Sequence, residues 1–536
     1  MLSSTSALSR SNIGHLYKEN DMNKALNKTL QDLVRLAAEE YGDRPYIREK
    51  AGKELVDSSF SRLYSDSRKI AAYLGEKFNG ETIHAAIIGP TSYAWLSAYF
   101  GTVVNGNVTV PLDAQLGCED ICELMTRADV SAFFYDKRYE PMIAAVRAAC
   151  PEIKAFICLQ DGESADITLS DITAKYTEAE LKTVTPKMLA SIVYTSGTTG
   201  KAKGVMLSHG NLIDNTNCQD DEAEVGDITM TVLPIHHVYC FTCDILLGLR
   251  YGTTVCVNDS MMRIAMNLQL FKPSFVLLVP MIAETIYKQI LGAAKAKQLP
   301  PAAVAKNVFG GNLKGIYSGG AYLAPELVNG YLELGIPIAQ GYGMTECSPR
   351  ISTASFKEIS TAGDVGKIVN GCIVKIVDGE IVVKSGSVMQ GYYKWKEATD
   401  EALDADGWLH TGDLGHVDEA TNRLFITGRK KNLIILSNGE NVSPEELENK
   451  FAGVDLCAEI LVYAEDGVIT AEIFPNKDIC ADITEAAAKL HEIIDEINKT
   501  IPSAKTIRKL RVREAEFDKT PSRKLKRQQT TKGEVM

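Results

Sequence analysis

The N-terminal part of the chain alternates helix-like amphipathic stretches with short apolar runs. Residues 26–42 and 61–78 place apolar side chains at helical spacing, and residues 84–90 form a short apolar run typical of a buried strand. Further apolar runs of strand length, each bounded by turn or helix-start residues, lie at 133–135, 155–160, 191–194, 253–257 and 275–280. This alternation predicts an α/β fold in which layers of helices cover buried strands.

The pattern changes after about residue 360. Up to about residue 430 the chain consists of short β-like pieces separated by turn signals, which predicts a β-rich subdomain (360–430) within a large N-terminal domain of residues 1–430. Residues 431–536 contain a strand at 459–475, a helix at 483–501 and a basic tail. They are predicted to form a small C-terminal α+β domain.

Composition and charge indicate which binding partners and which cellular compartment the chain favours. The formal net charge of −12 over 536 residues argues against general nucleic-acid binding, so a polyanionic substrate would need a local cationic site. No segment approaches the roughly 20 consecutive apolar residues that span a bilayer. Residues 1–21 lack the continuous apolar stretch of a secretion signal, and their Ser-rich composition leaves a transit peptide as an alternative. The 12 scattered cysteines indicate reduced thiols rather than a disulfide scaffold, which favours the cytoplasm.

The strongest local signal for chemistry lies in residues 191–209. Two apolar, β-like runs flank a loop rich in glycine, hydroxyl and lysine side chains: Thr195, Ser196, Gly197, Thr198, Thr199, Gly200, Lys201 and Lys203. Glycine lets backbone N–H groups approach an anion, hydroxyls donate hydrogen bonds, and lysines supply positive charge. The loop is therefore predicted to hold phosphate, although it lacks the GxxxxGK[ST] pattern of P-loop NTPases. A flexible linker would not be bracketed so tightly by apolar runs.

Four further motifs follow in order: QGYGMTE at 340–346, DGWLHTGDLG at 406–415, GRKKNLIILSNGENVSPEELE at 428–448 and TPSRKLKR at 520–527. Together with the loop at 191–209, this set resembles the adenylate-forming (AMP-binding) superfamily, most closely its bacterial fatty acyl-CoA synthetases. The resemblance covers essentially the whole chain. It implies a large ATP- and acyl-binding domain and a small mobile domain that carries a catalytic lysine.

The resemblance implies a role for individual residues at the nucleotide. ATP or AMP would be bound by Thr195, Ser196, Gly197, Thr198, Thr199, Lys203, Gly320, Ala321, Gly341, Tyr342, Gly343, Thr345, Asp413, Arg429 and Lys524. Glu346 and Thr198 would hold Mg²⁺, a cation that prefers oxygen ligands and bridges phosphates. Lys524, Thr198 and Glu346 are the implied catalytic residues. Asp413 would accept hydrogen bonds from the ribose hydroxyls, and Tyr342 would stack on adenine.

The implied acyl pocket is formed by His237 with Gly319 and Gly320. Glycine suits this position because a side chain there would intrude into the pocket. The same region permits a second interpretation, since two histidines precede Cys240 and Cys243, a spacing that is reminiscent of zinc ligands. The two pairs lie closer together than in a usual zinc finger, and the segment is apolar.

The resemblance also identifies a hinge and a catalytic loop in the C-terminal part. Lys431 would be the hinge about which the small domain turns between two half-reactions. Lys524 matches the family's TxxGK pattern, although Arg523 stands where glycine is usual. Lys526 and Arg527 would add positive potential for ATP or CoA phosphates, or would simply lie on a solvated face.

The predicted activity is an AMP-forming acid–thiol ligase that uses ATP, Mg²⁺ and coenzyme A. The resemblance to bacterial fatty acyl-CoA synthetases implies a medium- or long-chain fatty acid as the substrate, and the absence of an FDxS-type motif argues against an amino-acid substrate. One alternative is a ligase that loads an aryl or other acid onto a carrier protein. A second alternative is a nucleotide-binding regulatory module without catalysis, which retention of Lys203, Glu346, Asp413 and Lys524 disfavours.

Overall fold

The computed structural model describes most of the chain, namely residues 28–195, 201–218, 222–435, 441–519, 525–527, 529 and 531–535. Within these ranges, helices pack on two large mixed sheets, and a separate small sheet lies near the C-terminus. The predicted α/β fold class with layered subdomains is confirmed. In the described part of the chain, no helix is long and apolar enough to cross a membrane.

The larger sheet contains thirteen strands. In spatial order they are Ile373–Val377, Glu380–Lys384, Leu409–Asp418, Arg423–Arg429, Lys367–Ile368, Arg350–Thr353, Ile338–Gly343, Gly315–Ser318, Phe275–Leu278, Ile228–Thr231, Thr254–Val257, Pro45–Ala51 and Glu54–Ser59. The central strands pair in parallel, so their carboxyl ends meet at one edge. The strands of the predicted β-rich region continue this sheet by antiparallel pairing.

The second sheet contains eight strands and carries the predicted phosphate loop. Its order is Gly391–Tyr392, Lys203–Ser208, Leu189–Thr195, Val108–Leu112, His84–Ile88, Val130–Tyr135, Ala155–Cys158 and Ile167–Thr168. The apolar runs read from the sequence therefore form strands in this sheet or the larger one. The two strands around the phosphate loop pair antiparallel, with Thr195 opposite Lys203, so the ends of the loop are held side by side.

The helices cover both sheets and fill the space between them. They are Leu30–Tyr41, Phe60–Lys77, Tyr93–Val103, Cys118–Arg127, Glu140–Ala149, Leu169–Lys175, His209–Asn217, Val238–Cys240, Leu247–Tyr251, Ile264–Phe271, Pro280–Lys297, Pro301–Val308, Pro325–Glu333, Lys396–Ala402, Pro444–Glu448 and Ile483–Asn498, with a π-helical turn at Phe241–Leu246. Helix Tyr93–Val103 is apolar on all faces and is buried. Its Tyr99 ring lies 4.2 Å from the ring of Phe241, at the centre of the main core.

The C-terminal residues form a core of their own. A sheet in the order Cys457–Glu465, Val468–Pro475, Lys509–Val512 and Glu534–Val535 packs against helix Ile483–Asn498 through apolar side chains. A two-stranded ribbon, Ile434–Ile435 with Asn441–Val442, precedes it. The prediction of a single strand at 459–475 is wrong, because Asp466 and Gly467 both take positive φ angles and turn the chain into a hairpin.

Candidate active site

The glycine-rich motif at 340–346 lies at the carboxyl end of a central strand. Gly341, Tyr342 and Gly343 end strand Ile338–Gly343, and a short 3₁₀ turn with buried Thr345 follows. A Cβ atom on Gly343 would lie 2.0 Å from the carbonyl oxygen of Pro349, so no side chain fits there. The close approach of the backbone at Pro349 therefore requires glycine at position 343.

A second glycine segment lies beside the first. A Cβ atom on Gly319 would lie 3.3 Å from the carbonyl oxygen of Gly341 and 3.3 Å from the hydroxyl oxygen of Tyr239, leaving little space. Gly320 follows with a φ of +81°, in the left-handed region that favours glycine, and together with Ala321 it forms an exposed turn. The structure thus places Gly319, predicted at the acyl pocket, beside Gly341, predicted at the nucleotide.

Asp413 accepts two side-chain contacts at the same edge. The hydroxyl of Tyr342 donates a hydrogen bond of 2.7 Å to Asp413 Oδ2, and Arg429 Nε lies 2.8 Å from Oδ1. Asp413 and Arg429 face each other on paired strands, which fixes their register. Burial, followed by the nearby Asp413 charge, raises the pKa of Tyr342 well above its usual value. The two oxygens of a carboxylate offer about four acceptor sites, so Asp413 retains capacity for ribose hydroxyls.

Glu346 is buried in the 3₁₀ turn, where one of its carboxylate oxygens is engaged by a residue from the other sheet. Tyr392 donates its hydroxyl hydrogen to Glu346 Oε1 at 2.8 Å. The backbone N–H of Met389 donates to the carbonyl oxygen of Glu346 at 2.9 Å. A carboxylate ligates Mg²⁺ through oxygen, so the chemistry of Glu346 fits the predicted metal role. In the described part of the chain, no group of three His, Cys, Asp or Glu side chains is placed to hold a metal.

Three cations converge near these carboxylates. The Lys203 ammonium lies 4.6 Å from the centre of the Tyr392 ring. Burial, followed by repulsion from Arg429 and, to a smaller extent, from Lys203, lowers the pKa of Lys431. These positive groups lie close enough to repel one another, and a bound polyphosphate would offset that repulsion.

His237, which the resemblance assigns to the acyl pocket, has a local structural role in the fold. Its Nδ1 accepts a hydrogen bond of 3.4 Å from the backbone N–H of Tyr239, which caps the helix that begins at Val238. The geometry lends the zinc interpretation no support, since Cys240 Sγ donates to Asp244 at 3.7 Å and both residues are buried. Burial raises the pKa of the Asp244 carboxyl to about 8.

Comparison with known proteins agrees with this geometry. The profile of the AMP-binding enzyme family matches residues 34–393, and that of the AMP-binding enzyme C-terminal domain matches residues 431–533. The chain belongs to the AMP-binding enzyme family. The predicted resemblance to adenylate-forming enzymes is therefore confirmed.

Relatives within the AMP-binding family include fatty-acid ligases. The chain is 27% identical over 512 residues to the long-chain-fatty-acid–CoA ligase FadD15 of Mycobacterium bovis, covering 82% of this chain and 85% of that protein. It is 27% identical over 485 residues to the long-chain-fatty-acid–CoA ligase ACSBG2 of Mus musculus, covering 78% and 72%. Among solved structures, ATP-bound MatB from Rhodopseudomonas palustris has a TM-score of 0.78 at 23% identity and covers 92% of this chain and 97% of that one.

In this AMP-binding enzyme, the residues on either side of Lys431 contact different parts of the molecule. Lys430 Nζ lies 2.9 Å from Glu380 Oε2 in the large sheet, whereas the Asn432 side chain donates to Glu445 Oε1 at 2.5 Å. Burial alone would raise the pKa of the Glu380 carboxyl, but Lys430, with smaller contributions from Gly412 and His410, lowers it. Lys431 therefore lies between two anchored residues, Lys430 and Asn432.

Arg527 is bound by two glutamates of the C-terminal region instead of lying on a solvated face. Its guanidinium forms two bonds with Glu448, at 2.8 and 2.9 Å, and one of 2.9 Å with Glu445. The backbone N–H of Val462 also donates to Glu448. Arg527 thus fastens the tail to helix Pro444–Glu448, and the prediction that it adds free positive potential is wrong.

Several predicted residues lie outside the described residues: Ser196, Gly197, Thr198, Thr199, Arg523 and Lys524. Their roles stay predictions. Other residues of the site were missed in the sequence, namely Tyr239, Glu380, Tyr392, Glu445 and Glu448. The YYKWK segment around Tyr392 offered a signal, since aromatic and basic residues close in sequence can form cation–π contacts.

Proposed function

We propose that this AMP-binding enzyme activates a long-chain fatty acid as its acyl-adenylate and then transfers the acyl group to coenzyme A, releasing pyrophosphate and AMP. One observation carries the proposal. Asp413 is held by Tyr342 and Arg429, and both Asp413 and the cation Lys203 interact electrostatically with Lys431, so a carboxylate for ribose and positive charge for phosphates belong to one site. This is the arrangement that a nucleoside triphosphate requires.

In the first half-reaction, the acid carboxylate attacks the α-phosphate of ATP and pyrophosphate leaves. The residues serve mainly to position the reactants and to stabilise negative charge on the phosphoryl oxygens. Lys203, Arg429 and Lys524 supply positive charge, and Asp413 orients the ribose. Glu346 with Thr198 would hold Mg²⁺, which would supply positive charge to offset that of the phosphates.

In the second half-reaction, the thiol of coenzyme A attacks the acyl carbon and AMP departs. We propose that residues 431–536 turn about Lys431 between the two steps, which carries Lys524 away and admits the thiol. The anchors support this pivot, because Lys430 is tied to Glu380 and Asn432 to Glu445, with a single residue between them. A rotation at that residue breaks neither contact.

The proposed substrate is a fatty acid because the acyl side of the site is apolar. A small buried apolar cluster lies next to Gly319. The side chains packed against this cluster are Tyr239, Cys243, Val279 and Tyr317. The relatives named long-chain-fatty-acid–CoA ligases support the same choice. We also propose a cytoplasmic location, since all 12 cysteines are free thiols, which a reducing compartment preserves.

The substrate proposal predicts a chain-length preference in acid-dependent exchange of pyrophosphate into ATP. Fatty acids from acetate to stearate, together with benzoate, are assayed without coenzyme A. We expect the highest kcat/KM for long-chain acids, because each buried CH₂ group contributes about 0.8 kcal/mol. Strongest exchange with acetate or benzoate would contradict the fatty-acid assignment. Exchange followed by no acyl-CoA formation would favour a carrier protein as acceptor, and absence of exchange with every acid would favour a regulatory module.

A further inference from the structure

Tyr392 is fixed at the place where the two large sheets meet. It pairs with Val205 in the strand that leaves the phosphate loop, and its backbone N–H donates to Thr399 Oγ1 at 2.9 Å. The segment that carries it contacts Glu346 twice, through the Met389 N–H at the Glu346 carbonyl and through the Tyr392 hydroxyl at the carboxylate. The orientation of Glu346 therefore depends on this edge strand.

The two ends of the Tyr392 side chain contact groups of opposite charge. Its hydroxyl donates to Glu346 Oε1 at 2.8 Å, whereas the face of its ring lies 4.6 Å from the Lys203 ammonium. The Trp395 ring lies 5.7 Å from the same ammonium. A cation over an aromatic face is attracted by the ring without being neutralised. The Tyr392 and Trp395 rings thus restrict the position of the Lys203 ammonium.

We propose that Tyr392 is a positioning residue for adenylate formation, which orients the Glu346 carboxylate toward Mg²⁺ through its hydroxyl and holds Lys203 beside the phosphates through its ring. The inference rests on the proposed function, since it concerns the binding of Mg²⁺ and ATP at that site. Neither the sequence motifs nor the family resemblance assigns a role to this tyrosine.

The test is Tyr392→Phe, which keeps the ring over Lys203 and removes only the hydroxyl. The neighbouring Tyr393→Phe is a matched control, because the Tyr393 hydroxyl also donates to a carboxylate, Asp129 Oδ2 at 2.5 Å, away from Glu346. ATP binding is measured by calorimetry at graded Mg²⁺ concentrations, alongside pyrophosphate exchange. Y392F is expected to need about tenfold more Mg²⁺ for half-maximal ATP binding, the loss typical of one hydrogen bond to a charged group. Y393F should match the parent.

A double-variant comparison separates positioning from general damage. If Tyr392 acts through Glu346, adding Y392F to Glu346→Gln should raise the Mg²⁺ requirement no further than E346Q alone. ATP affinity without Mg²⁺ should be unchanged by Y392F. Equal Mg²⁺ requirements in Y392F and Y393F, or an equal loss of ATP affinity with and without Mg²⁺, would overturn the proposal. Failure of the parent to exchange pyrophosphate would instead contradict the proposed function, since the binding titration reports on Tyr392 independently.

Discussion

Replacing Lys524 by alanine is expected to slow adenylate formation about 100-fold to 1,000-fold, the loss seen when one preorganised donor to developing negative charge is removed. The fold should survive, because Lys524 lies in the basic tail and not in an apolar segment. The second half-reaction should be spared. Supplied with pre-made acyl-adenylate and coenzyme A, the variant is expected to form thioester at nearly the parental rate.

Lys526→Ala serves as the control for Lys524→Ala, since it removes a cation from the same tail. Lys526 contributes its backbone N–H to the Asp518 carbonyl oxygen at 2.8 Å, a contact that alanine keeps. K526A should change adenylation only slightly. If K524A were folded but equally slow in both half-reactions, or no slower than K526A, Lys524 would have no specific role in adenylation.

Replacing Lys431 by proline is expected to impair thioester formation about 100-fold, the scale of loss from misplacing reacting groups, while adenylation falls only a few-fold. Proline fixes φ near −65°, so the residue between the two anchors loses the rotation that the second conformation requires. Each half-reaction is measured separately, by pyrophosphate exchange and by conversion of supplied acyl-adenylate.

Lys431→Ala distinguishes the hinge from the charge of the side chain. Alanine removes the ammonium but leaves φ free, so K431A should retain thioester formation far better than K431P. Similar losses in K431A and K431P would assign the effect to the lysine charge beside Arg429 and Lys203. Equal loss of both half-reactions in K431P alone would place the pivot elsewhere.

Much of the fold is predictable because its strands are buried in layers. Within the runs 155–160 and 275–280, the first four residues are apolar at consecutive positions, as expected for strands covered on both faces, and these residues form the strands Ala155–Cys158 and Phe275–Leu278. The hairpin at Cys457–Glu465 and Val468–Pro475 was missed because its apolar residues continue on both sides of a two-residue turn. The Asp-Gly pair at the turn was the available signal.

The site is predictable only where its residues lie inside the motifs. Asp413 and Glu346 follow from short recognisable segments, whereas their partners come from distant parts of the chain. Tyr392 contacts Glu346 across 46 positions, and Lys430 contacts Glu380 across 50. Such pairs arise from how the sheets are joined, which no local pattern encodes. Arg527 is a further example, because its structural role follows from its ion pairs with Glu445 and Glu448, which are about 80 positions away in the sequence.

The central claim is that one site makes an acyl-adenylate and then passes its acyl group to coenzyme A. The most direct test mixes the enzyme with a long-chain fatty acid and ATP labelled in its α-phosphate, without coenzyme A, and quenches with acid. The account predicts labelled acyl-adenylate in an amount comparable to the enzyme. Adding coenzyme A with excess unlabelled ATP should convert that label to AMP and yield an equivalent amount of acyl-CoA. Acyl-CoA formation without any adenylate, or release of labelled ADP instead of AMP, would contradict the account.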